Sequence, residues 1–179
     1  MSSAIIFPHA EEYNNNFAYS VVRKGHNCLL WAAGVKEPLS VCSRLSELNY
    51  KIGDVGSAFL QKIGELYTEG LIPYNSLNLV KVESEDSLPE SSTHIFKVFG
   101  FRTAQVWNQD FGFYMDVPGD FHVIRGEKEP DGSISWEHKF GWDENPRRLT
   151  EEDVEALEAD YGENYVLYAF IPHWGKEPR

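Results

Sequence analysis

Gly25-His26-Asn27-Cys28-Leu29-Leu30-Trp31-Ala32-Ala33-Gly34 is the stretch on which the reading of this chain turns. A polar turn containing glycine delivers a cysteine onto the first turn of a short apolar helix. Gly34 stops that helix, and Pro38 lies beyond it. A thiol so placed feels the unpaired N–H groups and the positive dipole end of the helix, which favour the thiolate. Free cysteine is also among the most buried residue types, so packing is the competing reading of Cys28.

Outward from this helix the chain divides into two textures. Residues 1–27 read as irregular with one short strand, and Val41–Leu48 as a second short helix. Phe59, Leu60, Ile63, Leu66 and Tyr67 repeat at helical spacing across Ser57–Thr68, and Gly70 follows as a stop. Beyond that, strands dominate: Leu77–Val82, His94–Phe99, Ala104–Trp107, Phe111–Val117, Phe121–Gly126 and Ile134–Phe140. Glu83 to Ser92 is an acidic, solvated loop. Glu129-Pro130-Asp131-Gly132 is a turn signal that makes Phe121–Phe140 a β-hairpin. Thr150 caps a helix carrying Val154, Leu157 and Tyr161, and Asn164–Ile171 is a final strand. The order predicts one α+β domain over residues 1–179, with N-terminal helices packed on an antiparallel sheet.

Charge narrows the partners. Sixteen Lys and Arg against 28 Asp and Glu give −12, which disfavours a nucleic-acid backbone or an anionic membrane surface. No apolar run approaches the ~20 residues of a membrane span. The Met1–Glu12 segment lacks the basic region of a signal peptide, so cytoplasmic synthesis is expected, with export that uses no cleaved signal left open. The two cysteines, Cys28 and Cys42, suit a reducing compartment. No CxxC or HExxH is present, and neither a cofactor nor a metal is expected.

A nucleophilic cysteine needs a base and a group that orients the base. Of six histidines, His9 and His173 lie near the termini, and His26 would have to double back on its turn. His94 follows the acidic loop. His122 begins the hairpin strand, where its ring sits at a sheet edge within range of a helix N-terminus. His138 lies on the returning strand. A two-residue turn at Asp131-Gly132 would oppose His122 to Gly141 and His138 to Arg125, facing His138 away from His122. A turn one residue longer puts both on one face. Asp143 and Asn145 are alternative orienters. Trp136, Phe140 and Trp142 read as core; the aromatic, acidic stretch Trp107–Tyr114 reads first as core and second as the surface of a binding domain.

Asp120-Phe121-His122-Val123-Ile124-Arg125, Pro130-Asp131-Gly132 and Trp136-Glu137-His138-Lys139-Phe140-Gly141 together resemble a bacterial papain-like family. Its members read roughly D-Y-H-x-x-R, an acidic-Gly turn, then W-S-H-K-P-G. Asn27-Cys28-Leu29-Leu30-Trp31-Ala32-Ala33 is similar to the N-C-Y-A-Y-A-L-like segment that these proteins carry upstream. Within the resemblance Cys28 matches the nucleophile, His122 the base and His138 the third polar position. Arg125, Trp136, Lys139 and Gly141 match as well. Glu137, Phe140, Leu29 and Trp31 depart from the pattern, and Leu39 to Asp116 matches nothing. The resemblance implies a papain-like or NlpC-like fold and a cysteine-dependent amide hydrolase: a peptidase, amidase or deamidase.

In that chemistry the Cys28 thiolate attacks a carbonyl, and backbone N–H groups at the helix start hold the oxyanion. Asn27 is a further oxyanion candidate. Release to water gives hydrolysis, and release to an amine gives a transglutaminase-like acyltransferase. The implied partner is a protein or peptide substrate. The resemblance permits effector, toxin or cell-wall amidase roles, with an inhibitory or immunity protein as a second partner. Two rivals stand beside it: a non-catalytic protein- or ligand-binding domain on the same fold, and a metal site from Cys28, His122 and His138.

Overall fold

Six residues, Cys28–Ala33, form a helix whose ends are both closed by the local sequence. The structure, a computed structural model, describes residues 7–15, 26–37, 48, 54–100, 103–118, 121–140 and 144–172. In these, α1 is Ala10–Asn15, α2 is Cys28–Ala33, α3 is Val55–Thr68 and α4 is Glu151–Asp160. The strands are β1 Leu79–Val82, β2 His94–Phe99, β3 Thr103–Asn108, β4 Phe113–Pro118, β5 His122–Lys128, β6 Ile134–His138, β7 Arg147–Leu149 and β8 Tyr165–Phe170.

The side-chain oxygen of Asn27 accepts the Leu30 N–H at 3.0 Å and caps the start of α2. At the other end Gly34 takes φ 87°, a left-handed value that glycine adopts without strain. Its N–H reaches Trp31 O and the Val35 N–H reaches Leu30 O, both at 3.1 Å, closing a Schellman motif. So short a helix holds its shape through burial, and all six of its residues are buried.

Strands in the order β1-β8-β2-β5-β6-β7 make one antiparallel sheet. Helices cover both of its faces, which is why every residue of the interior strand β2 is buried. On one face Leu29, Trp31, Phe59 and Ile63 pack on Phe96, Val98, Val123 and Phe170. On the other Val154 and Tyr161 pack with Ile95, Phe99, Ile124, Trp136 and Leu149. Gly126 makes room for that second layer: a Cβ there would lie 2.4 Å from Ile134 Cγ2. The observed class is thus mixed α and β, with helices packed against an antiparallel sheet.

Several expectations change. Of residues 1–27, expected to be irregular with one short strand, 7–15 and 26–27 are described, and they hold the helix α1; the rest lies outside the described residues. The first N–H of α1, on Ala10, lies 3.2 Å from both carboxylate oxygens of Glu137, a contact between distant parts of the chain that the local sequence does not signal. Leu77 lies in a 3₁₀ turn, Ser76–Asn78, because Asn75 caps it, so β1 starts two residues late. β7 was not expected at all. Among the described residues β3 and β4 pair only with each other, and Trp107, Phe111, Phe113 and Tyr114 are exposed, not core. The helix expected over Val41–Leu48 lies outside the described residues except for Leu48. Among the described residues no helix is long and apolar enough to cross a membrane.

Candidate functional site

The hairpin turn decides where the histidines point. Lys128 pairs with Ile134, and the Glu129 N–H bonds Ser133 O at 2.8 Å. Pro130, Asp131 and Gly132 therefore form a three-residue loop, with Gly132 at φ 90°. Asp131 holds it by accepting the Ser133 N–H at 2.9 Å. Extending the ladder opposes His122 to Phe140, and puts His122, Ile124, Trp136 and His138 on one face. The plain two-residue turn is thus replaced by the longer one, and the two histidines share a side of the sheet.

They touch there. His122 Nε2 lies 2.8 Å from His138 Nδ1, and the rings meet at 81°. Phe140, two residues on, sits over both at centroid distances of 5.3 and 5.9 Å. Both histidines are 3 % exposed. Burial, aided by the Arg147 guanidinium, pulls the His138 pKa down to about 4, so this ring is neutral at pH 7.

Cys28 opens α2, and α2 is tied to β5 and β6 by buried cations. Arg125 Nη1 donates to Trp31 O and Ala32 O, each at 3.0 Å, and Nη2 to Pro8 O at 2.6 Å. Its guanidinium stacks 4.1 Å from the Trp31 ring. Lys139 Nζ donates to His26 O at the other end of α2. These ties run α2 in the same sense as β5, so Cys28 and His122 start their elements at one end of the sheet. The helix covers the face of Phe121 and Val123, whereas His122 and His138 leave on the face of α4. Sulfur and imidazole can therefore meet only around the end of β5, not through the sheet.

The other candidates fall elsewhere. Asn27 commits its side-chain carbonyl oxygen to the α2 cap, which sets it beside the N–H groups at the start of that helix. Asn145 lies exposed in the loop before β7. Asp143, Cys42 and His173 lie outside the described residues. His26 is buried with Nε2 2.9 Å from Glu37 O. His94 packs 4.7 Å from the Phe7 ring, and burial pulls its pKa down to about 3. His9 bridges Glu127 and Glu12 at 2.5 and 3.1 Å. Among the described residues no group of three His, Cys, Asp or Glu is arranged to hold a metal ion, so the Cys28, His122 and His138 metal site is not assembled.

A groove of about 560 Å³ beside His138 escaped the sequence reading. It lies between β6–β7 and α4, which contributes Asp153, Ala156, Leu157 and Asp160. That i, i+3, i+4, i+7 spacing is the signal that could have found it. No family model, curated protein or solved structure matches this chain.

Proposed function

We propose that the chain is a cysteine-dependent amide hydrolase of papain-like design, with Cys28 as nucleophile, His122 as base and His138 as orienter. The observation that carries the reading is the buried His122–His138 hydrogen bond, on the strand that also anchors the helix opened by Cys28. In this reading His122 donates from Nε2 to the neutral His138 and takes the thiol proton at Nδ1. A neutral partner can accept that bond without repelling the imidazolium that forms. Phe140 keeps water from the pair, which strengthens the bond. The thiolate adds to the amide carbonyl, and the Cys28 N–H at the start of α2, with Asn27 beside it, faces the oxyanion. His122 then protonates the leaving amine, and the acyl group passes from sulfur to water.

Peptide or amide turnover by the purified chain tests the reading. Cys28→Ala and His122→Ala should each abolish turnover, and the double variant should lose no more than either single one. Cys42→Ala should leave it unchanged. Full activity of Cys28→Ala would overturn the proposal and favour a non-catalytic binding domain.

A further inference from the structure

The groove beside His138 has a composition that selects a ligand. Phe140, 53 % exposed, and Leu157 give it an apolar wall. Its rim carries the carboxylates of Glu144, Asp153 and Asp160 and the guanidinium of Arg147; Asp153 is itself tied to Arg147 at 3.5 Å and accepts the Thr150 N–H at 2.9 Å. His138 borders the groove with its Nδ1 taken by His122 and its Nε2 buried without a hydrogen-bond partner. An unsatisfied buried nitrogen is unfavourable, so a ligand that reaches it gains a bond the groove itself does not supply.

We infer that this groove holds a lysine- or arginine-bearing segment of the peptide substrate, an assignment that rests on reading His138 as part of the reacting centre. The long aliphatic stem of such a side chain covers Phe140 and Leu157, and its cationic head reaches the acidic rim. A neutral His138 that accepts at Nδ1 carries its proton on Nε2. That N–H then donates to a backbone carbonyl of the bound segment. The chain's net charge of −12 draws cationic peptides towards it over a longer range.

The full chain carrying Cys28→Ala separates binding from turnover. The probes are a fluorescein-labelled peptide of alternating Ala, Phe and Lys and its counterpart with Glu for Lys, read by fluorescence anisotropy. The Lys peptide should bind, at least roughly tenfold more tightly than the Glu peptide, and more weakly as salt rises. Adding Glu144→Lys and Asp160→Lys should erase most of that preference. Neither residue caps a helix, and a base at the last turn of α4 suits its dipole. Ala156→Trp, which fills the groove, should weaken the Lys peptide as well. Equal binding of the two peptides, or a preference untouched by these variants, overturns the inference. Lys-selective binding by a chain whose Cys28 form cleaves nothing would sustain the groove and sink the hydrolase. Cleavage indifferent to Lys or Glu would do the reverse.

Discussion

His122 Nε2 and His138 Nδ1 are 2.8 Å apart although the two residues are diagonal, not opposite, on the β5–β6 ladder. The bond is made on the α4 side of the sheet, and its partner ring is held neutral by burial. In the proposed mechanism His138 orients His122 without competing for its proton. His138→Asn, which keeps a polar group but shortens its reach, should lower kcat by roughly 10–100-fold while KM changes little, as expected for an interaction realised mainly in the transition state. Steady-state kinetics check this. An unchanged kcat would remove His138 from the mechanism.

Acid should destabilise the fold. The folded-state pKa values of His138 and His94 lie at about 4 and about 3, below the ordinary 6.5. The unfolded chain therefore binds protons that the folded one refuses, and stability falls as pH drops through 6.5 towards 4. His138 alone contributes about 3 kcal/mol to that loss by pH 4. Denaturant titrations at pH 7.5, 6, 5 and 4 should show the decline, and His138→Asn should flatten it.

His9 works in the opposite sense. Its hydrogen bond to Glu127 raises its pKa above 6.5. Its contribution is complete below pH 6.5 and is lost as pH rises through the raised value. His9→Gln should therefore cost stability at pH 6 and nothing by pH 9. Equal loss at both would show that packing, not charge, ties Phe7–Asn15 to the sheet.

Arg125 is the pin of α2. Its removal takes that donor from the Pro8 and Ala32 carbonyls, while Trp31 O keeps the Gly34 N–H. Arg125→Met should destabilise the protein by about 2 kcal/mol or more, read from urea denaturation, since each orphaned carbonyl costs about 1–3 kcal/mol. Gly126→Ala should cost about 1–3 kcal/mol by pressing a methyl group into Ile134.

The same contacts show which features are legible in sequence. The α2 helix, the β5–β6 hairpin and the Thr150 cap of α4 were readable because glycine, capping oxygens and periodicity act within a few residues. The turn was harder. Asp131-Gly132 fits a two-residue loop as well as a three-residue one, and that single residue decides whether His138 faces His122. β7 and α1 are short and held by distant contacts, His138 and Arg147 pairing in one case and Glu137 reaching Ala10 in the other. The exposed aromatics of β3–β4 defeat a rule of thumb, since Trp107–Tyr114 has the composition of a core strand pair and lies on the surface. The layering of α2 on one face and the histidine pair on the other follows only from register and tertiary packing.

The central claim is that His122 activates Cys28, and the pH dependence of Cys28 alkylation tests it most directly. Iodoacetamide labelling, followed residue by residue by mass spectrometry, should modify Cys28 far faster than Cys42 at pH 6–7. His122→Ala should slow Cys28 by roughly tenfold or more and move its labelling midpoint towards the ~8.5 of an ordinary thiol. Cys28 that labels no faster than Cys42, at a rate unchanged by His122→Ala, would contradict the account.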